Sequence, residues 1–475
     1  MTLPDTFTQY TRSLMGDELY GKLLRGLADE PPVSIRINRA KCHASPEGAR
    51  PVGWCTDGWY LQGRPAFTFD PLLHAGWYYV QEASSMFLHH VISQHVADAS
   101  LMLDLCAAPG GKSTAALGAL PDGSVLFCNE PVRQRAQILA ENIQKWGRPE
   151  VVVTNSMPAD YARSGLEFDV VLCDVPCSGE GMFRKDEGAI GEWSPQNVDR
   201  CAALQRQIVA DAWQCLRPGG LLIYSTCTFN AKENEQNVAW ICSSLGAELL
   251  PVSTDAAWAI TGALSDCLAG PVYRFIPGVT TGEGLFMAVM RKRGERLSAA
   301  APPRRRQNRQ GARNRAAEYT GWIEKPEDFD FFTPADSIVA IPKRMAAHYE
   351  TAARTLRIVH AGVTIGTIKG RDIIPAQSLA LSVALRPGAF TRAELPYSQA
   401  IAYLRKEQLQ LPEGTPRGFT LVTYSGAPLG FAKNIGPRAN NLYPQEWRIK
   451  SSHAPGDDSR PAVICTGMMN DGCRE

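Results

Sequence analysis

Leu101-Met102-Leu103-Asp104-Leu105-Cys106-Ala107-Ala108-Pro109-Gly110-Gly111-Lys112 is the stretch that decides the fold of this 475-residue chain. An apolar run closes on an acidic residue, a tight proline–glycine turn follows, and Ser113-Thr114-Ala115-Ala116-Leu117 begins a helix. Strand, turn and helix in that order open a parallel sheet, whose ligands sit at the carboxyl ends of the strands. The alternation continues downstream. Ser124–Cys128 reads as a strand, followed by a helix through Arg133, Ile138, Leu139, Asn142 and Ile143. Val151–Thr154 and Phe168–Cys173 read as two further strands. Ser194-Pro195 places a capping residue before proline at the first helical position. That helix carries Leu204, Ile208, Ala212 and Leu216, is expected to end at Arg217-Pro218-Gly219-Gly220, and leads to a strand at Leu221–Tyr224. Strands alternating with helices imply right-handed βαβ units and an α/β, doubly wound, Rossmann-like sheet.

The flanks divide by pattern. Phe7, Tyr10, Leu14, Leu19, Leu23, Leu24 and Leu27 have helical spacing, Pro31-Pro32 stops them, and Val33–Asn38 alternates like a half-buried strand. The expected domains are a small α+β module over 1–75, the sheet domain over 76–292 and a basic linker over 293–318. A small α+β module over 319–390, a last module over 391–450 and a disordered tail over 451–475 complete the list. Residues 291–315 hold ten Arg or Lys against one acid, Glu295, a charge attractive to phosphates. In the last module a hairpin is expected at Phe419–Tyr424 and Leu429–Ala432. Lys433, Arg438, Arg448 and Lys450 lie among Tyr443 and Trp447 there, a mixture suited to an RNA surface. A chain cut after about residue 316 is expected to keep its cofactor site and lose RNA affinity.

The bulk composition is that of a globular protein, with 44% apolar residues, 20% charged residues and a net charge of +1. No global field argues for nucleic acid, so that case rests on local clusters. The thirteen cysteines form no Cys-x-x-Cys pair, and no metal site is expected. An odd count without a signal peptide points to a reducing cytoplasm. No apolar run approaches the roughly 20 residues that span a bilayer. A monomer is expected.

A sulfonium cofactor needs close backbone approach, an acceptor for ribose hydroxyls and a groove for adenine. Cys106, Ala107, Ala108, Pro109, Gly110, Gly111 and Lys112 supply the first, because small residues let backbone come near a ligand. Glu130, at the end of the second strand, suits the second, by the logic of dinucleotide sites. Read alone, a glycine turn is equally a structural loop. It is not a phosphate cradle, because Gly110-Gly111-Lys112-Ser113 lacks the earlier glycine of that motif.

Two other strand ends carry cysteines, in Asp174-Val175-Pro176-Cys177-Ser178-Gly179 and Ser225-Thr226-Cys227-Thr228. Cytosine carbon 5 is too electron-poor to take a methyl group directly. A nucleophile must first add to carbon 6 and be eliminated later, and a thiolate suits both halves. Asp174 is placed to hydrogen-bond the base edge. One such cysteine would read as a small buried hydrophobe; two, each past a strand end beside a glycine loop, argue for chemistry.

Tyr79-Val80-Gln81-Glu82-Ala83-Ser84-Ser85, Cys106 to Lys112, Asp174 to Gly181 and Ser225 to Thr228 together resemble the RNA cytosine-5 methyltransferases of the Nol1/Nop2/Sun family. Leu429-Gly430-Phe431-Ala432-Lys433 and Arg438-Ala439-Asn440-Asn441-Leu442-Tyr443-Pro444 are similar to the carboxyl-terminal module of a bacterial branch that modifies ribosomal RNA. The resemblance implies a methyltransferase sheet domain, an RNA-binding-like amino-terminal module and a PUA-like last module. It also implies S-adenosyl-L-methionine as cofactor and 16S ribosomal RNA as partner, within the small subunit or free. By it, Cys227 is the nucleophile, Cys177 assists release of the methylated base, and Asp174 contacts both target and cofactor regions. The family carries an aspartate after the third strand to hold adenine. Here Asn155-Ser156-Met157-Pro158-Ala159-Asp160 puts Met157 at that position, leaving adenine to backbone groups or Asp160.

The alternatives are a DNA cytosine methyltransferase attacking with Cys177, a transfer-RNA cytosine-5 methyltransferase, and a non-catalytic ribosome-assembly protein with a degenerate core.

Overall fold

The computed structural model describes residues 2–294, 317–370, 372–451 and 463. Most of the expected basic linker and carboxyl-terminal tail therefore lies outside the described residues.

Helix α1 (Asp5–Ala28) breaks at Gly16, whose φ is 73°, and matches the leucine spacing. Leu23 and Leu27 are buried, while Leu24 faces outward. Strands β1 (Ser34–Ile37), β2 (Arg50–Val52), β3 (Cys55–Tyr60) and β4 (Tyr78–Val80) form a sheet in the order β2-β3-β1-β4, with α2 (Pro71–His74) leading into β4. The first sheet thus runs to Val80, past the boundary expected at residue 75, because β4 pairs antiparallel with β1. Trp54 and Tyr60 are core residues there.

After α3 (Phe87–His95), the central domain supplies β5 (Leu101–Asp104), α4 (Gly111–Ala119), β6 (Val125–Asn129), α5 (Arg133–Trp146), β7 (Val151–Thr154), α6 (Pro158–Ala162) and β8 (Phe168–Asp174). Then come α7 (Glu187–Glu192), α8 (Pro195–Cys215), β9 (Leu216–Thr226), α9 (Glu235–Leu245), β10 (Ala247–Leu249), β11 (Tyr273–Phe275) and β12 (Leu285–Lys292). Strands β9-β8-β5-β6-β7 are parallel neighbours. Both faces of β5, β6 and β7 are buried, as a parallel sheet covered by helices requires. Ser194 caps α8 by accepting from Asn197 N at 3.1 Å, with Pro195 in the first turn. The helix stops at Cys215, and Arg217–Gly220 bulge out between the paired residues Leu216 and Leu221, with Gly219 taking φ 75°, so the regular pairing of β9 resumes at Leu221 as expected.

The carboxyl-terminal third is not a chain of separate modules. Strands β13 (Phe329–Phe332), β14 (Ser337–Pro342), β15 (Ile358–Ala361), β16 (Val363–Lys369) and β17 (Asp372–Pro375) follow, and β13-β14-β16-β17 make one sheet. Strand β15 leaves that sheet and pairs antiparallel with β7, becoming the edge of the central sheet. The helix Lys343–Thr355 packs Met345, Ala346, Tyr349 and Ala352 into the core that holds Leu103, Phe127 and Val171. Residues 319–390 therefore carry a sheet of their own, as a small α+β module would, and also lend β15 to the edge of the central sheet. Strands β18 (Thr391–Glu394), β19 (Gly418–Tyr424), β20 (Ala427–Asn434) and β21 (Ala439–Asn441) form the last sheet, with the expected hairpin at β19–β20. That module shares one core with the first: Tyr397, Tyr403 and Tyr443 pack with Ile35, Phe69 and Trp77. The cause is chemical. Each small sheet has a single apolar face and must cover it with another element.

Candidate active site

The strand ends of β5, β6 and β7 are tied together by Asn129, a residue the sequence reading did not single out. Its amide donates to Leu105 O at 3.1 Å and Ser156 O at 2.9 Å, and its Oδ1 accepts from Thr154 Oγ1 and Ser156 N. Above them the glycine loop turns into α4. Gly110, with φ 112°, occupies the left-handed region that favours glycine. A side chain on Gly111 would press against the Tyr79 ring at 3.4 Å.

A second unforeseen residue holds this loop from outside the domain. Arg36 of β1 is wholly buried and donates to Gly111 O at 3.3 Å, Thr114 O at 3.1 Å and Thr114 Oγ1 at 2.6 Å. Its Nε donates to Gln81 Oε1 at 2.8 Å and its guanidinium lies 4.4 Å from the Trp146 ring centroid. The amino-terminal module thus holds the glycine loop through one planar fork, a geometry lysine does not reproduce. Only the tertiary fold shows this, since Arg36 and Thr114 are 78 residues apart.

The pocket rim suits the amino-acid and ribose parts of a sulfonium nucleoside. Asp104 is buried, accepts from Ser113 Oγ at 2.7 Å, and has an Oδ1 with no hydrogen-bond partner among the described residues. Burial pushes its carboxyl up to about 7. Cys106 lines the same loop, and burial drives its thiol pKa upward, which keeps it neutral. Glu130 is 2% exposed; it accepts from Val132 N at 2.9 Å and faces Arg135 Nη1 at 3.4 Å. Met157 is 60% exposed, beyond the end of β7. Asp160 is committed to its own helix, accepting from Met157 N at 2.9 Å and pairing with Arg163 at 2.7 Å.

Glu130→Ala is expected to weaken binding of the sulfonium cofactor by about 1.5–3 kcal/mol, the range for hydrogen bonds to a charged group. Calorimetry on the folded variant checks this, and unchanged affinity would remove Glu130 from the site.

The two cysteine loops meet across β8 and β9. Cys177 Sγ and Cys227 Sγ stand 3.2 Å apart, both partly exposed. Hydrogen bonding to Cys227, followed by burial and negative charge nearby, pushes the Cys177 thiol well up. The two sulfurs share one hydrogen bond, in which either can be the donor. Asp174 accepts from Lys112 Nζ at 2.9 Å, with both side chains only partly shielded. Burial opposes the Lys112 charge, but the Asp174 carboxylate outweighs it and raises the ammonium pKa. The structure thus brings Asp174, Cys177, Cys227 and Lys112 to one place and sets the glycine loop and Glu130 beside them on the neighbouring strand ends.

On the expected RNA surface, Arg438, Arg448 and Lys450 are exposed. Tyr443 is fully buried against the first module, its hydroxyl 3.5 Å from His74 Nδ1. It is a core residue and not a stacking platform. No helix among the described residues is long and apolar enough to cross a membrane.

Comparison with known proteins agrees with this arrangement. The description "16S rRNA methyltransferase RsmB/F" matches residues 91–291. "N-terminal domain of 16S rRNA methyltransferase RsmF" matches 3–83, and "Methyltransferase RsmF PUA domain" matches 390–449. Ribosomal RNA small subunit methyltransferase F of Aliivibrio fischeri strain MJ11 is 30% identical over 94% of this chain and 97% of its own length. Its namesake in Klebsiella pneumoniae is 28% identical over 87% of this chain and 89% of its own. Among solved structures, a methyltransferase homologue from Pyrococcus horikoshii superposes with TM-score 0.53 at 24% identity, covering 61% of this chain and 95% of that one. NSun6 from the same organism, solved with SFG, gives 0.51 at 21%, covering 62% and 99%. These likenesses show the Rossmann-like methyltransferase fold. With three matching domain descriptions in order and a relative aligned over nearly its whole length, the chain belongs to the ribosomal RNA small subunit methyltransferase F family of 16S rRNA methyltransferases.

Proposed function

We propose that this chain methylates carbon 5 of a cytosine in 16S ribosomal RNA with S-adenosyl-L-methionine, through a bond between Cys227 and carbon 6. The 3.2 Å approach of the two sulfurs, at the same strand ends as the Asp174–Lys112 pair, carries this reading. The resemblance of Ser225 to Thr228 to the family motif assigns the attack to Cys227 over the DNA-type order. Residues Cys106 to Lys112, Asp104 and Glu130 would hold the cofactor, which when bound supplies an electrophilic methyl group. Its adenine falls between backbone groups and the exposed Met157. The cytosine must leave its stack to enter the pocket, at a cost of a few kcal/mol.

Within the pocket, Asp174, paired with Lys112, accepts from the exocyclic amino group on the base edge and holds the ring in place. The Cys227 thiolate adds to carbon 6, which makes carbon 5 nucleophilic toward the methyl group. The carbon 5 proton then leaves to a base, the carbon 6–sulfur bond breaks, and the Cys227 thiolate is restored. Cys177, beside that sulfur, is the group placed to act at the breaking step. Arg438, Arg448 and Lys450 are the described basic residues offered to RNA, and the arginines in 295–316 add charge of the same sign. We place the protein in the cytoplasm as a monomer, and hold the division into an amino-terminal module, a catalytic domain and a PUA-like module as part of this proposal.

RNA carrying tritium on cytosine carbon 5 tests the position of transfer. One tritium should appear in water for each methyl group incorporated. Methylation without tritium release would move the reaction to another atom.

A further inference from the structure

We propose that Glu180 and Glu233 are positioning residues that latch the two cysteine loops to each other and so set the distance between the Cys177 and Cys227 sulfurs. The arrangement is reciprocal. Glu180, three residues after Cys177, accepts from the backbone N–H groups of Phe229 at 2.7 Å and Asn230 at 2.9 Å, on the loop after Cys227. Glu233, six residues after Cys227, accepts from the backbone N–H of Ser178 at 3.0 Å, on the loop after Cys177. Both carboxylates are fully buried.

Every partner of these carboxylates is a donor. Glu180 also accepts from Trp193 Nε1 at 2.9 Å and Asn230 Nδ2 at 3.0 Å. Glu233 accepts from Gln205 Nε2 at 2.7 Å and Asn230 Nδ2 at 2.7 Å. Gln205 also donates to Pro176 O at 2.9 Å, so α8 holds the residue just before Cys177 through the same cluster. Gly181 N donates to Cys227 O at 2.9 Å, and a Cβ on Gly181 would come within 2.9 Å of that oxygen. The loops therefore touch backbone to backbone, with two buried carboxylates as acceptors for the backbone amides of Ser178, Phe229 and Asn230. A buried carboxylate is costly unless donors surround it, and a set that contains only donors specifies one geometry. Among the described residues neither carboxylate hydrogen-bonds to Asp174, Lys112 or either sulfur, and Glu233 reaches Cys177 through its charge alone, which raises that thiol's pKa, so both act through the cysteines and not on substrate. Burial is the main influence raising the Glu233 pKa, while the Ser178 and Asn230 hydrogen bonds oppose it.

Glutamine in place of either glutamate keeps the shape and turns one acceptor into a donor facing donors. The test is the rate at which diamide joins Cys177 to Cys227, taking up two electrons and two protons as the disulfide forms; peptide mapping reads the pair and Cys177→Ala is the blank. In Glu180→Gln and Glu233→Gln this rate should fall at least tenfold. In Glu180→Gln alkylation of each thiol by iodoacetamide should stay within threefold, and in Glu233→Gln, where a negative charge near Cys177 is lost, alkylation should not fall. In both variants affinity for S-adenosyl-L-methionine should stay within threefold and methylation kcat should fall. A wild-type cross-linking rate in both variants would overturn the proposal, as would alkylation falling in step with cross-linking, which would mean altered thiol chemistry and not altered spacing. If only one variant folds it decides alone; if neither does, the cluster is a folding element and the proposal fails. The link to turnover rests on the two-cysteine mechanism above. A wild-type protein that cross-links readily but forms no RNA adduct would sink that mechanism and leave the latch standing.

Discussion

Cys227→Ser is expected to abolish both turnover and covalent capture of RNA, while Cys177→Ala keeps the capture and loses release. Serine's hydroxyl is not ionised near neutral pH, so the addition to carbon 6 that starts the reaction does not occur. The loss should be at least a thousandfold, within the range for removing a nucleophile. In Cys177→Ala the backbone carbonyl of Cys227 still accepts from Gly181 N at 2.9 Å, which keeps the attacking loop in place. Only the sulfur 3.2 Å away is gone. A protein–RNA species should therefore build up that survives denaturing gels and disappears on RNase treatment. Adduct in Cys227→Ser and none in Cys177→Ala would reverse the roles and restore the DNA-type order. Full activity in both would make the two cysteines packing residues.

A chain ending at residue 316 is expected to lose its fold, and not merely its RNA affinity. The cut removes β15 from the edge of the central sheet and takes Ile341, Met345, Ala352 and Leu356 out of the core below it. It also strips Tyr397, Tyr403 and Tyr443 from the core they share with Phe69 and Trp77. Each large apolar side chain lost from a core is worth about 1.5–3 kcal/mol. Several together exceed the roughly 5–15 kcal/mol that separates a folded domain from its unfolded state. Circular dichroism and thermal melting of the truncated chain check this. A cooperative transition within a few degrees of the full-length protein would show that the catalytic domain stands alone.

The parallel sheet was legible because its strands are buried on both faces and its turns carry glycine and proline at fixed places. A run such as Leu101–Leu105 needs no partner to be recognised. The same holds for the α8 cap at Ser194-Pro195, where the donor and acceptor lie three residues apart. Arg217–Gly220 was legible for the same reason, since proline and glycine break the regular pairing of β9 between Leu216 and Leu221. The boundaries at 75 and 319 were read from local pattern and composition, which do not register that β4 returns to β1 or that β15 crosses to β7.

For the site, the sequence by itself determined which chemistry was available. Two cysteines, an aspartate and a glycine loop all fall at strand ends, and the order of strands along a chain places those ends on one side of the sheet. Only the tertiary structure decided how they act together. The 3.2 Å between sulfurs fifty residues apart, the Lys112–Asp174 pair, the Arg36 fork under the glycine loop and the Glu180–Glu233 cluster are contacts between distant segments. The physical reason is that a side chain's residue type is written locally, whereas its proton affinity and its partner depend on burial and on neighbours brought in by the fold.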